Sequence, residues 1–442
     1  MHRDAIKQLI NWKNDAARKP LIIRGARQVG KTWLLKEFGR TEYKNCVYIN
    51  FDRNDVMKEL FAGTPDTGRY LSALEAFSGE SISPGNTLII FDEIQECPAA
   101  LTALKYFDEQ ASEFHVAAAG SLLGVTNHEG TGFPVGKVDF MQLSPMSFFE
   151  FLTALGYDKL RAVAESCDFD LVKIFAPRFE ELLKQYYFVG GMPEAVSAFV
   201  SAGQRGFAKV RSIQQKLLNG YAADFSKHAG ASTAEKITAL WGSLPRQLAK
   251  ENKKFVYNAI KPSARAREYE EVVSWLENSG LVHKIYRIAK PGLPLKAYED
   301  LDAFKLYLHD VGLLGALSNL SARTMLEGSS IFTEFKGALA EQYVLQQLKC
   351  YEDLSVNYWT SKSGSAEIDF IVQSNDLIIP VEVKAETNLR AKSLTSYIKN
   401  YNPDFAVKTS LANPEENGNM CNIPLYMIGA LPLLAEKLGE KY

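Results

Sequence analysis

Paired cysteines are missing from this sequence. Its five cysteines, Cys46, Cys97, Cys167, Cys350 and Cys421, are odd in number, scattered and never spaced as CxxC. That argues against a disulfide framework or a zinc site and leaves them as small core residues. No apolar run approaches the ~18 residues that a membrane-spanning helix requires. The opening MHRDAIKQLINWKND has charges spread through it rather than the apolar core of a secretory leader. A cytoplasmic chain with no membrane partner is expected. An excess of one charge is missing too, since 50 Lys and Arg face 52 Asp and Glu for a net charge of -2. The whole molecule therefore has no basic surplus to hold it on nucleic acid, and any such contact has to come from a local patch. Internal repeats and low-complexity tracts are absent as well.

What is present is enough chain for several cores. At 442 residues, with 46% hydrophobic and 23% charged residues, two to four domains are expected. Between 20 and 150, apolar runs alternate with amphipathic stretches, the pattern of a parallel sheet with crossover helices. PLIIRG (20–25), CVYINFD (46–52), TLIIFDE (87–93) and FHVAAAGS (114–121) read as strands, apolar enough to be buried on both faces. From about 145 the pattern turns helical through PMSFFEFLTALG, APRFEELLKQYYFVGGMPEAVSAFV and AKVRSIQQKLLNGYAADFSKHA. Next come AEKITALWGSLPRQLAK, FVYNAIK and ARAREYEEVVSWLENSG as three helices, then LVHKIYRI and FKLYLHDV as strands. Three helices and a hairpin outline a winged helix. The last segment opens with the helix EFKGALAEQYVLQQLK. It continues with strands at SVNYWTS, AEIDFIV and IIPVEVKA, the helix KSLTSYIKNY, and strands at DFAVKTS and PLYMIG. The expected domains are 1–148, a parallel α/β core; 149–232, a helical lid; 233–322, the winged helix; and 323–442, a second α/β domain.

Gly25-Ala26-Arg27-Gln28-Val29-Gly30-Lys31-Thr32 matches GxxxxGK[ST] between a strand and a helix. Such a loop turns backbone N–H groups inward to cradle the phosphates of ATP, and the helix N-terminus adds its positive dipole end. Lys31 would reach the β- and γ-phosphates and Thr32 would ligate Mg²⁺. A second signal is TLIIFDE, which ends in Asp92-Glu93, with Asp92 61 residues after Lys31. Asp92 would hold the Mg²⁺ shell and Glu93 would polarise the attacking water. Ser121 ends the next strand, where it would sense the γ-phosphate, although a helix N-cap serine explains it equally well. Lys137 is a candidate trans-acting cation for a neighbouring nucleotide, with a solvated lysine as the simpler reading.

A second constellation lies near the C-terminus. Glu382 and Lys384, in PVEVKA, follow Asp369 by 13 and 15 residues, and a period of two puts Glu382 and Lys384 on one face. Asp369 and Glu382 would share Mg²⁺ or Mn²⁺, with Glu341 as a further oxygen ligand and Lys384 beside the metal. Two exposed polar positions on a half-buried hairpin are the competing reading. Lys250, Lys253, Lys254, Lys261, Arg265 and Arg267 crowd the winged-helix region and suit a phosphate backbone. Glu268, Glu270 and Glu271 follow at once, so a protein-docking face fits as well.

RGARQVGKT, IIFDEIQ, PMSFFEF, YYFVGGMPEAV, ARAREYEEVVSWLENSGLVHK and AEIDFIV with PVEVKA together resemble the predicted bacterial and archaeal AAA-type ATPases. In these an ATPase core is joined to a restriction-endonuclease-like, PD-(D/E)xK, C-terminal domain. The resemblance covers nearly the whole chain. It implies Lys31, Thr32, Asp92 and Glu93 as ATPase residues and Asp369, Glu382 and Lys384 as nuclease-type residues. One departure is Gly136-Lys137, where the family often has Gly-Arg. The function implied is an ATP-driven machine acting on DNA. A nucleotide-gated switch and an ATPase remodelling a partner protein are the alternatives, and self-association stays open.

Overall fold

The computed structural model describes the chain except residues 121–133, 251–252, 328–332, 388–390 and 440–442. Its contacts divide it into two compact units. One is His2–Ser144 with Asn278–Gly280; the other is Pro145–Glu277 with Leu281–Tyr442 and Met1. No helix among the described residues is long and apolar enough to cross a membrane.

The first unit is built on β1 (Leu21–Arg24), β2 (Asn45–Asn50), β3 (Thr87–Asp92), β4 (His115–Ala119) and β5 (Asp139–Gln142). They pair in the order β2-β3-β4-β1-β5, parallel throughout. Every residue of β3 and β4 is buried, as their apolar runs require. On one side Phe51, Phe61, Phe91 and Phe107 pack with Tyr70 in a cluster of edge-to-face, tilted and stacked rings. The edge strand β5 is not anticipated by the sequence pattern, because only Met141 of its four residues is buried and it has no apolar run. Placing β4 between β1 and β3 leaves the carboxyl ends of those two strands one strand apart. In parallel sheets that is where ligands gather.

The second unit carries β6 (Val282–Ile288), β7 (Glu299–Leu308), β8 (Ser355–Thr360), β9 (Glu367–Ser374), β10 (Leu377–Val383), β11 (Ala406–Ser410), β12 (Glu415–Asn417) and β13 (Met420–Pro424). They form one sheet in the order β12-β13-β11-β10-β9-β8-β6-β7. This changes the expected division of the chain. The hairpin β6–β7, expected as the wing of a 233–322 domain, is continuous with the C-terminal sheet, because β6 pairs with β8 through Arg287↔Tyr358 and Ile288↔Trp359. Apart from Asn278–Gly280, the segments 149–232, 233–322 and 323–442 cluster as one unit. Two local expectations also change. FVYNAIK holds only the 3₁₀ turn Tyr257–Ala259, and PLYMIG is the fully buried 3₁₀ helix Leu425–Ala430 instead of a strand. A short apolar run buried on all sides has the same composition in either form, so periodicity cannot separate them.

A buried polar seam joins these segments. Helix Thr333–Leu348 contributes Gln342, Gln346 and Gln347, all nearly inaccessible. Their side-chain oxygens accept from the backbone N–H of Leu308 at 2.9 Å, Val311 at 2.8 Å and Phe148 at 2.7 Å. Each bond satisfies a donor that would otherwise be buried without water. Asp310, also buried, accepts from the N–H of Gly191 at 2.6 Å and of Leu313 at 2.9 Å and from Gln346 Nε2 at 3.1 Å. Burial nonetheless pushes its pKa up to about 6. The YYFVGGMPEAV motif is explained here as packing: a Cβ on Gly191 would stand 2.1 Å from the Met146 carbonyl oxygen, and one on Gly312 2.6 Å from that of Val189.

Candidate nucleotide site and carboxylate–lysine cluster

The loop after β1 needs left-handed backbone at three points, with φ of 147° at Gly25, 68° at Gln28 and 98° at Gly30. Only glycine adopts the first without strain, and a Cβ at Gly25 would also stand 2.3 Å from the Leu143 carbonyl oxygen. Gly30 caps the helix Lys31–Glu42, so the loop's N–H groups and the positive helix end share one side. Lys31 Nζ donates to the carbonyls of Gly25 at 2.8 Å and Ala26 at 2.9 Å. Burial pulls the Lys31 pKa down to about 8, opposed by Glu93 and Asp92. The loop is braced from behind by the buried Arg3, whose guanidinium donates to the carbonyls of Val29 at 2.9 Å and Ser144 at 2.7 Å. Nothing in the sequence pattern singles out Arg3, because its role depends on a partner 141 residues away.

The structure brings Thr32 and Asp92 together. Thr32 Oγ1 lies 3.0 Å from both carboxylate oxygens of Asp92. A hydroxyl and a carboxylate at that spacing are hard oxygen ligands that fit Mg²⁺. When bound, that ion would neutralise charge on the phosphates. Glu93 follows with φ of 50°, a left-handed turn at the strand end, and its Oε2 accepts from Gln95 Nε2. Ser121 lies outside the described residues. Lys137 has partners within its own unit. Its ammonium is 3.2 Å from both Asp108 Oδ2 and Glu109 Oε1 of its own unit, which fixes it as a surface ion pair.

Tyr48 is the residue that motif reading missed. Its hydroxyl donates to Asp92 Oδ2 at 2.7 Å, Asn50 Nδ2 donates to that hydroxyl at 3.3 Å, and the Lys36 ammonium sits 3.5 Å from the ring centroid. Burial raises the Tyr48 pKa to about 12, so it remains a donor at neutral pH. The available signal was a period of two: Tyr48 and Asn50 alternate in β2 beside Asp92, to which Asn50 pairs in register. Tyr48→Phe is expected to raise the Mg²⁺ concentration needed for half-maximal ATP turnover several-fold while saturating turnover falls less than threefold. A magnesium titration of phosphate release reads both, and an unchanged Mg²⁺ requirement would remove Tyr48 from this role.

In the second unit the four C-terminal candidates are near one another but already partnered. Asp369 Oδ2 accepts from the Val383 N–H at 2.8 Å. Glu382 accepts from the Leu394 N–H at 2.9 Å and from Lys384 Nζ at 2.7 Å, so Glu382 and Lys384 do share a face. Glu341 is bonded by Lys253 Nζ and, at 3.1 Å, by the Tyr307 hydroxyl. Burial works to raise Glu341, but Lys253 and Lys305 outweigh it and hold the acid below its usual range. Burial, reinforced by Glu341, pushes Asp369 up to about 7. The wholly inaccessible Lys305 of β7 bonds Glu367 and stays charged against burial because Glu341, Glu367 and Asp369 surround it. Two of the carboxylates expected to ligate a second metal, Glu341 and Glu382, therefore face lysines. Among the described residues no group of three or more His, Cys, Asp or Glu side chains is placed to hold a metal ion, and the residues present do not fit one.

Residues 17–152 match the family model described as an AAA domain. Residues 180–324 match a domain of unknown function, DUF8612, and residues 336–428 another, DUF4143. No curated protein matches the chain. Among solved structures it is similar to the Aeropyrum pernix Orc1 protein in complex with DNA, at 14% identity over 72% of this chain and 92% of that one, with a TM-score of 0.30. The Thermotoga maritima RuvB Holliday junction branch migration motor gives 10%, 64%, 89% and 0.28 by the same measures. AMPPCP-bound DnaA from Aquifex aeolicus gives 12%, 62%, 86% and 0.28.

Proposed function

We propose that this chain, an AAA-type P-loop ATPase, couples Mg-ATP hydrolysis to work on DNA. The observation that carries the hydrolytic half is the Thr32–Asp92 contact with Glu93 at the adjoining strand end. In this reading the Gly25–Thr32 backbone and Lys31 bind and orient the phosphates. Thr32 and Asp92 hold Mg²⁺, Tyr48 keeps Asp92 turned toward it, and Glu93 accepts the proton of the attacking water. The water's oxygen joins the γ-phosphorus as the bond to the β-γ bridging oxygen breaks, leaving ADP and phosphate.

The DNA half is supported by four exposed cations, Lys250 just after helix Ala231–Leu248 and Lys261, Arg265 and Arg267 around the start of helix Ala266–Asn278. Lys253 drops out of this patch because Glu341 holds it. The test is ATP turnover with and without single- and double-stranded DNA. We expect several-fold stimulation that weakens steeply with salt, since each neutralised phosphate contributes a slope of about 0.9 through counterion release. Replacing the four exposed cations by Ala should flatten that slope. Turnover indifferent to either DNA would favour the partner-protein reading.

The placement of Asp369 on β9 and of Glu382 and Lys384 at β10 supports a restriction-endonuclease-like reading of the C-terminal part. The lysine partners of these carboxylates favour its use as a binding module.

A further inference from the structure

We infer that Lys305 is a built-in cation standing where a nuclease of this kind would hold its divalent metal, so that the C-terminal cluster binds without cleaving. Three observations converge. Lys305 is wholly inaccessible and its ammonium bonds the Glu367 carboxylate, an arrangement that persists only when opposite charge offsets the loss of water. It bonds the Glu367 carboxylate of β9, and Glu341 of helix Thr333–Leu348 and Asp369 of β9 act on it electrostatically. Glu367 and Asp369 lie two residues apart on one strand, as a ligand pair on one face would. Lys253 on Glu341 and Lys384 on Glu382 complete the pairing. Three lysines thus pair with three of the four carboxylates, while Asp369 accepts from the Val383 N–H, and little uncompensated negative charge is left to attract a divalent ion.

Its delivery explains the sheet. Lys305 comes from β7 and Glu367 from β9, with β6 and β8 between them in strand order. The β6–β7 hairpin must therefore join the C-terminal strands for the ammonium to reach the cluster. A wing packed as a separate domain would leave Glu341, Glu367 and Asp369 to repel one another, a repulsion that a metal would otherwise relieve.

The inference rests on the restriction-endonuclease-like reading only for the expectation of a metal. Its test involves no DNA, so it can fail independently of DNA-stimulated turnover. The probe is Mn²⁺ added to the nucleotide-free full chain, with melting temperature as the readout. All proteins carry Asp92→Asn to remove the P-loop's own metal ligand. We expect no Mn²⁺-dependent rise in this otherwise unaltered protein up to millimolar metal. Lys305→Met keeps the side chain's length without its charge, and should gain a rise of more than about 5 °C that Asp369→Asn then abolishes. A rise already present with Lys305 in place, and lost in Asp369→Asn, would overturn the inference. So would a folded Lys305→Met protein that gains no rise. If Lys305→Met does not fold, the Lys305-containing protein decides alone, together with Lys305→Arg, which keeps the charge and should remain insensitive to Mn²⁺. Manganese-dependent stabilisation of Lys305→Arg through Asp369 would equally overturn the inference.

Discussion

Glu93→Gln should keep ATP and lose its hydrolysis. The substitution removes the carboxylate that takes the proton from water and leaves Lys31, Thr32 and Asp92 in place. Turnover should fall by about 10² to 10⁴, the usual contribution of a positioned base, while the dissociation constant for ATP changes by less than about threefold. Lys31→Ala should do the reverse at the binding step. It removes the ammonium that the Gly25 and Ala26 carbonyls hold over the loop at 2.8 and 2.9 Å, and affinity should drop by about 100-fold or more, the scale of losing a charge-assisted phosphate contact. Fluorescent-nucleotide binding and steady-state phosphate release, measured on the same preparations, separate the two effects. Equal turnover in Glu93→Gln and the unaltered protein would assign the base to another residue.

Gly191→Ala should be among the most damaging single changes outside the nucleotide loop. Its Cβ would stand 2.1 Å from the Met146 carbonyl oxygen and 2.8 Å from the Met146 nitrogen, both backbone atoms with no rotamer to yield. Relief requires moving the N–H that Asp310 accepts at 2.6 Å, which exposes a buried carboxylate to loss of a partner. The expected loss is at least about 3 kcal/mol, combining overpacking with a broken buried hydrogen bond. In melting temperature that is roughly 6–10 °C for a unit of this size. Gly220→Ala is the matched control. It lies in the helix Phe207–His228 with open space where its Cβ would go, so it should be neutral or stabilise by up to about 1 kcal/mol. Similar melting temperatures for the two variants would refute the close-packing account of the GGMP motif.

The pH behaviour of Asp310 has a definite sign. Its carboxyl, raised to about 6 from an unfolded value near 4, binds a proton more readily folded than unfolded. Its share of stability is therefore greatest at low pH and is lost as pH rises from about 4 through about 6.

What the amino-acid sequence determined by itself is the set of features made from neighbouring residues. The Gly25–Thr32 loop, the strand leading to Asp92-Glu93 and the period that aligns Glu382 with Lys384 are local. The conformational freedom of glycine, the burial of an apolar run and the alternation of a strand act over a few residues and leave their mark in spacing. Tertiary structure alone decided everything that depends on distant segments meeting. Tyr48 reaches Asp92 across two paired strands. Arg3 braces Val29 and Ser144, and three glutamines of one helix satisfy backbone donors at 148, 308 and 311. Lys305 shows the division most clearly. In FKLYLHDV it sits between Phe304 and Leu306, and nothing in its spacing marks it as buried beside carboxylates. Only the joining of β6 to β8 turns that strand inward against Glu341, Glu367 and Asp369. A charge of that kind stays buried because of what surrounds it, and its surroundings come from parts of the chain that no local pattern connects.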